Sequence, residues 1–76
     1  MSRNNKEWTD WNVRLWLNND EGLYRLARER VREQDRRKLH FAAICILEDL
    51  HGRGLTKTPD GAQYTVANIK RAIEDM

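Results

Sequence analysis

Reactive side chains are few in this chain, and their spacing limits the chemistry they can share. The single thiol, Cys45, lies inside the apolar run FAAICIL of residues 41 to 47, with His40 five residues before it and His51 six after it. A nucleophilic thiolate needs a base within hydrogen-bond reach and an electropositive setting. Steps of five and six residues put neither imidazole beside Cys45 on a helix face, and they give no metal pair. The acidic doublets Glu48-Asp49 and Glu74-Asp75 are sequence neighbours, so on helices their carboxylates splay apart. Gly52 and Gly54 lack the following Lys-Ser/Thr of a phosphate-binding loop. Cys45 therefore reads as a small core residue, and the expectation is a non-enzymatic protein with no catalytic residue, metal or cofactor.

Recognition chemistry is better represented. Arg25, Arg28 and Arg32 recur at helical steps, and a guanidinium engages phosphate oxygens through two parallel hydrogen bonds without reading sequence. Glu29 and Glu33 border that stripe, and they pair with Arg32 and Arg37 if the face is merely solvated. Near the C-terminus, Asn68 and Arg71 are residue types that read adenine and guanine in a major groove from the first half of a recognition helix. Nucleic acid is thus one candidate partner. The other is a protein, for which Trp16 and Phe41 are the candidate anchors, since large aromatics carry much of the energy of protein interfaces.

Composition narrows the setting. At 76 residues the chain has room for one core, in which every large apolar side chain matters. Hydrophobic residues make up 39% and charged residues 34%, a balance that still permits a packed fold. A single cysteine excludes an internal disulfide, FAAICIL is too short to cross a bilayer, and the polar start MSRNNKEW has no signal-peptide hydrophobic region, so a cytoplasmic protein with no membrane association is expected. The net charge of +2 is uneven: residues 1 to 38 hold ten Lys/Arg against seven Asp/Glu, and residues 39 to 76 hold four against five. An anionic partner is permitted, not demanded.

The elements that must position these residues are helices. Residues 1–7 read as a flexible arm and residues 8–76 as one helical domain. Thr9 reads as an N-cap, with Trp8 and Val13 in staple positions, and a first helix follows from about Asp10 to Leu17. Asn18, Asn19 and Asp20 break it and cap a second helix carrying Leu23, Tyr24, Leu26, Ala27 and Val31 on one side. Around Gln34 the apolar pattern lapses, and Asp35 can cap a third helix over roughly Arg36 to His51. One unbroken helix from Asp20 to His51 competes with this reading, because neither Gly nor Pro interrupts it. The third helix has Leu39, Ala43, Ile46, Leu47 and Leu50 on its main face, while Phe41, Ile44 and Cys45 point elsewhere. So wide an apolar surface belongs to a central helix or to a homodimer face. Gly52 is expected to end it in the left-handed region. Thr58-Pro59-Asp60-Gly61 then matches a type I turn, flanked by Leu55 and Tyr64 as a short hairpin or wing. Thr65 caps a last helix striped by Val66, Ile69, Ala72, Ile73 and Met76.

On the first helix, Trp8, Trp11 and Leu15 share one side, while Val13, Trp16 and Leu17 share the other. Buried indoles supply the largest area per residue, so Trp8 and Trp11 are expected to close the bundle over the third helix, and Trp16 to be the exposed ring. The fold class is then all-α, a bundle of three to four helices with a tight turn before the last.

One resemblance adds to this reading. From Leu50 to Ile73 the order of helix, Gly54, Thr58-Pro59, Gly61, Tyr64, Thr65 and then Ile69 and Ile73 resembles the closing part of the DNA-binding recombinase domain of large serine recombinases. It covers about a third of the chain, with one extra residue between Gly54 and Thr58. The resemblance implies DNA association without recombination, since the catalytic domain is missing. Two functions are therefore carried forward. The first is a small DNA-binding or DNA-associated accessory protein. The second is a protein-interaction module that regulates or inhibits a larger partner, such as a phage or mobile-element product.

Overall fold

A computed structural model describes residues 5–34 and 36–74, which form an all-α bundle of four helices: α1 (Asn5–Asn19), α2 (Glu21–Glu33), α3 (Leu39–Gly52) and α4 (Val66–Ile73). α1 packs on α2 and α4, and α3 packs on the same two helices. Among the described residues, no helix is long and apolar enough to cross a membrane.

α1 starts earlier than expected. Asn5 is already helical, so residues 5 to 7 belong to the helix and not to an arm, and Thr9 lies inside it without being its cap. Glu7 in the first turn complements the positive end of the helix dipole. The Trp8–Val13 staple disappears with the Thr9 cap. At the other end a single residue makes the corner: the Asp20 backbone N–H donates to the Trp16 carbonyl at 3.0 Å, while its carboxylate accepts from the Leu23 N–H at 3.0 Å. Asp20 is extended, with φ −85° and ψ 117°. It closes one helix and caps the next.

The break between α2 and α3 is real. Gln34 leaves the helical region at φ −109°, ψ 153°, with its N–H on the Val31 carbonyl. The expected cap at Asp35 falls outside the described residues. Arg36–Lys38 form a 3-10 turn leading into α3, which begins at Leu39 with no side-chain cap. Across this joint, the Arg30 guanidinium holds the Asp49 carboxylate through Nε at 2.9 Å and Nη2 at 2.8 Å and reaches Glu33 through Nη1 at 2.9 Å. Both nitrogens meet the one oxygen Oδ2, and such a partly exposed pair contributes at most about 1 kcal/mol. It fixes the angle between α2 and α3 more than it adds stability.

α3 runs through Gly52, and the left-handed residue is Gly54, at φ +77°. The Gly54 N–H donates to the His51 carbonyl at 2.9 Å and the Leu55 N–H to the Leu50 carbonyl at 2.8 Å, the pair of bonds that defines a Schellman ending. The left-handed ending thus falls two residues beyond the expected Gly52, where the last carbonyls of α3 find these donors. A one-bridge hairpin follows, with Lys57 opposite Gln63. Its tip is the expected turn: the Gly61 N–H donates to the Thr58 carbonyl at 2.9 Å, and the Thr58 N–H to the Ala62 carbonyl at 2.8 Å. Gly61 has φ +99°, the left-handed residue that ends a three-residue hairpin loop. Thr65 then caps α4 in a capping box with Asn68.

The core contains no tryptophan. It is built from Val13 and Leu17 of α1, Leu23 and Ala27 of α2, Ala42, Ala43, Ile46 and Leu50 of α3, Ile69, Ala72 and Ile73 of α4, and Ala62 and Tyr64 of the hairpin. Trp8 is 38% exposed and Trp11 56% exposed, so neither closes the bundle. Alanines at Ala27, Ala42, Ala43, Ala62 and Ala72 let short helices approach closely, and compact aliphatics fill what remains. Two indoles on the inner side of α1 would wedge that packing apart.

Candidate functional site

The two apolar sides of α1 are those expected, with their roles exchanged. Val13 and Leu17 are sealed in the core, while Trp8, Trp11 and the half-buried Leu15 form a stripe at i, i+3 and i+7 on the outer side. Trp11 stands between two depressions. One, of about 390 Å³, is lined by Glu7, Asp10, Arg14 and Arg71; the other, of about 320 Å³, by Arg14, Leu15 and Asn18. An exposed indole with a hollow on each side is the shape of an interface anchor. The floor of the first hollow is tied down by Arg71 Nε, 3.4 Å from Asp10 Oδ2.

Trp16 departs from expectation in the other direction. It is half-buried, and its indole N–H donates to Asp60 Oδ2 at 3.0 Å. The same oxygen accepts from Asn12 Nδ2 at 2.8 Å, and Asn12 Oδ1 accepts from the Thr58 hydroxyl at 2.5 Å. Thr58 Oγ1 in turn accepts from the Ala62 N–H at 3.0 Å. Asn12 is 1% exposed. The network pins the Thr58–Gly61 turn onto α1 across more than forty residues of sequence. Two donors on one oxygen, Asn12 first and Trp16 second, hold the Asp60 carboxyl below its ordinary value against a smaller opposing effect of burial. A signal was present in the sequence: Asn12 and Trp16 are four apart, on one face, and Asp60 is the carboxylate of a turn that had to dock somewhere.

The candidate nucleic-acid residues are dispersed. Arg25, Arg28 and Arg32 are exposed along α2. Arg25 Nη2 lies 3.4 Å from Glu21 Oε1, and Arg28 donates to the Tyr24 hydroxyl at 3.0 Å with its guanidinium 5.7 Å from that ring's centre. Asn68 is buried, and this corrects its assignment as a base-reading residue. Its Oδ1 accepts from the Thr65 N–H at 2.9 Å, its Nδ2 donates to the Gln63 carbonyl at 2.8 Å, and its N–H donates to Thr65 Oγ1 at 3.2 Å. No amide edge remains for a base. Arg71 is exposed, but it faces Asp10 of α1. Gly54, Thr58, Gly61, Tyr64, Thr65 and Ile69, which carry the recombinase resemblance, each have a local task in the ending of α3, the turn or the start of α4.

On α3, Phe41 is 54% exposed and meets the His40 ring edge-on at 5.9 Å. Ile44 and Cys45 beside it are half-buried. This agrees with the expectation that these side chains leave the main stripe. Among the described residues no three His, Cys, Asp or Glu side chains gather as a metal site.

The chain belongs to DUF7249, a family of unknown function, which it matches over residues 4–76. No curated protein and no solved structure matches it. Family membership brings no activity with it, and function has to be argued from the surfaces just described.

Proposed function

We propose that this protein is a non-enzymatic protein-interaction module whose contact surface is the outer side of α1. The observation that carries this reading is the stripe Trp8, Trp11 and Leu15 on a helix whose opposite side already supplies the core. A helix presents side chains at i, i+3 and i+7 to an apolar groove of a partner, and tryptophan is the residue most enriched among energetic hot spots. The stripe lies on a helix whose other side is packed into the core, so its backbone is preorganised for binding.

A photo-crosslinking residue in place of Trp11, compared with one at exposed Ala67 on α4, tests this in the native host. The proposal requires a discrete protein adduct at position 11 that is missing at position 67. Equal labelling at both sites, or an adduct only to nucleic acid, refutes it.

A second reading, DNA association, rests on one feature, the three exposed arginines of α2. Its base-reading part loses Asn68, spent in its capping box, and keeps only the exposed Arg71, which faces Asp10. Binding to duplex DNA that falls steeply with salt, and falls less steeply when Arg25, Arg28 and Arg32 are replaced by Gln, would favour it over the protein reading.

A further inference from the structure

A cleft of about 390 Å³ opens where the Asp20 corner meets the hairpin, remote from the α1 stripe, which lines none of it. The cleft is within the size range of ligand sites. Its walls are the Trp16 ring, Leu55 and Pro59, and Arg53 and Lys57 line it as well. Among the described residues neither cation is paired with an acidic side chain, and both are exposed. Tyr64 forms part of the lining. It is only 3% exposed, its hydroxyl meets no hydrogen-bond partner among the described residues, and that hydroxyl is nevertheless not sealed from solvent. Tyr64 thus brings the phenol of a core residue to the lining of the cleft.

We propose that this cleft binds an acidic peptide segment of a protein partner: one apolar side chain inserts between Trp16, Leu55 and Pro59, a carbonyl accepts from the Tyr64 hydroxyl, and flanking carboxylates meet Arg53 and Lys57.

Three features select this occupant. The rim carries two cations, Arg53 and Lys57, against one acidic lining residue, Asp20, whose Oδ1 is committed to the α2 N-terminus. Tyr64, a phenol and so protonated at neutral pH at its ordinary value of about 10, offers a donor, and burial, with the Asp20 charge as the lesser cause, raises its pKa further. The cleft is half open to solvent, as suits a side chain of a longer segment whose remainder stays outside. Its geometry is set in advance: Trp16 is oriented by its bond to Asp60, and Pro59 adjoins that same carboxylate in the pinned turn.

The test is an NMR titration of the full chain, following the Trp16 indole N–H and the Leu55 amide. The probe is the acetylated, amidated peptide Glu-Phe-Asp-Glu, and the controls are Lys-Phe-Lys-Lys, Glu-Gly-Asp-Glu and free phenylacetate. The proposal expects saturable shifts at both reporters with a Kd of about 0.1–1 mM, weakened at least about tenfold in each control peptide and in the Arg53→Gln/Lys57→Gln variant. Tyr64→Phe keeps the core ring, and binding should weaken about fivefold through the lost hydroxyl. Several outcomes overturn the proposal: no saturable shift, equal binding of the cationic peptide, shifts confined to the Trp11 indole, or phenylacetate binding as tightly as the peptide. The last would mark a small aromatic-acid site. Shifts at Trp16 and Leu55 bear on this cleft alone, so its failure leaves the α1 stripe to be judged by crosslinking.

Discussion

Replacing Asn12 with Ala probes the joint between α1 and the hairpin. The substitution removes an amide that accepts from Thr58 and donates to Asp60. At the Thr58 end the loss is internal: Thr58 is buried, and its hydroxyl proton is left without an acceptor. A buried polar group left unpaired costs about 1–3 kcal/mol. The small void left by the amide adds to this, while helix propensity returns a few tenths, about 0.5 kcal/mol, because Ala is the better helix former. The Asp60 end faces solvent and rehydrates. The expected loss is about 2 kcal/mol, which in a domain of this size lowers Tm by roughly 8–16 °C. Urea melts followed by circular dichroism supply the free energy, and near-ultraviolet circular dichroism reports release of the Trp16 ring. Asn12→Asp should be worse at neutral pH, since it sets a second carboxylate against Asp60, and should recover as pH falls. A loss below about 0.5 kcal/mol for Asn12→Ala, the range of ordinary surface changes, refutes the claim that the turn is held through this amide.

Other outcomes follow from the same coordinates. Trp11→Ala should cost at most about 2 kcal/mol, against about 2–5 kcal/mol for Leu17→Ala, because only the latter empties the core; urea melts of the two variants give the order. The lowered pKa of Asp60 means that its contribution is fully present above the ordinary aspartate value of about 3.9 and is lost as pH falls through the folded-state value. Asp60→Asn should accordingly flatten stability against pH in that acid window, and an unchanged slope would falsify the pairing. Gly54→Ala places a side chain at φ +77° and should cost roughly 1–2 kcal/mol, whereas Gly52→Ala, helical with open space around its Cβ, should be neutral or stabilising by up to about 1 kcal/mol. Thermal melts distinguish the two glycines directly.

Local chemistry was legible in the sequence wherever a residue solves its own backbone problem. Asp20, the Thr58–Gly61 turn and Thr65 each satisfy donors within three or four residues, and each is found where the pattern put it. The break before α3 was visible as a lapse in apolar spacing. What failed depended on contacts between distant segments. Periodicity placed Trp8, Trp11 and Leu15 on one side of α1 and Val13, Trp16 and Leu17 on the other, but it carries no information about which side meets α4. Side-chain size then favoured burying the indoles, although a core of closely approaching helices selects alanine and compact aliphatics. Polarity stands in for exposure when Asn68 is read as outward, and the same rule would turn Asn12 outward. Both are buried with every polar atom of the amide engaged, Asn12 by Thr58 and Asp60, and Asn68 by Thr65 and Gln63. A buried amide of this kind is recognised only once its partners are known.

Division of labour among the three indoles is the point on which the account turns, and solvent exchange of their N–H protons in the monomer measures it. The Trp16 proton should be protected, and should lose that protection in Asp60→Asn, while those of Trp8 and Trp11 exchange at nearly the rate of a free indole. Slow exchange at Trp8 and Trp11 beside fast exchange at Trp16 would contradict the account.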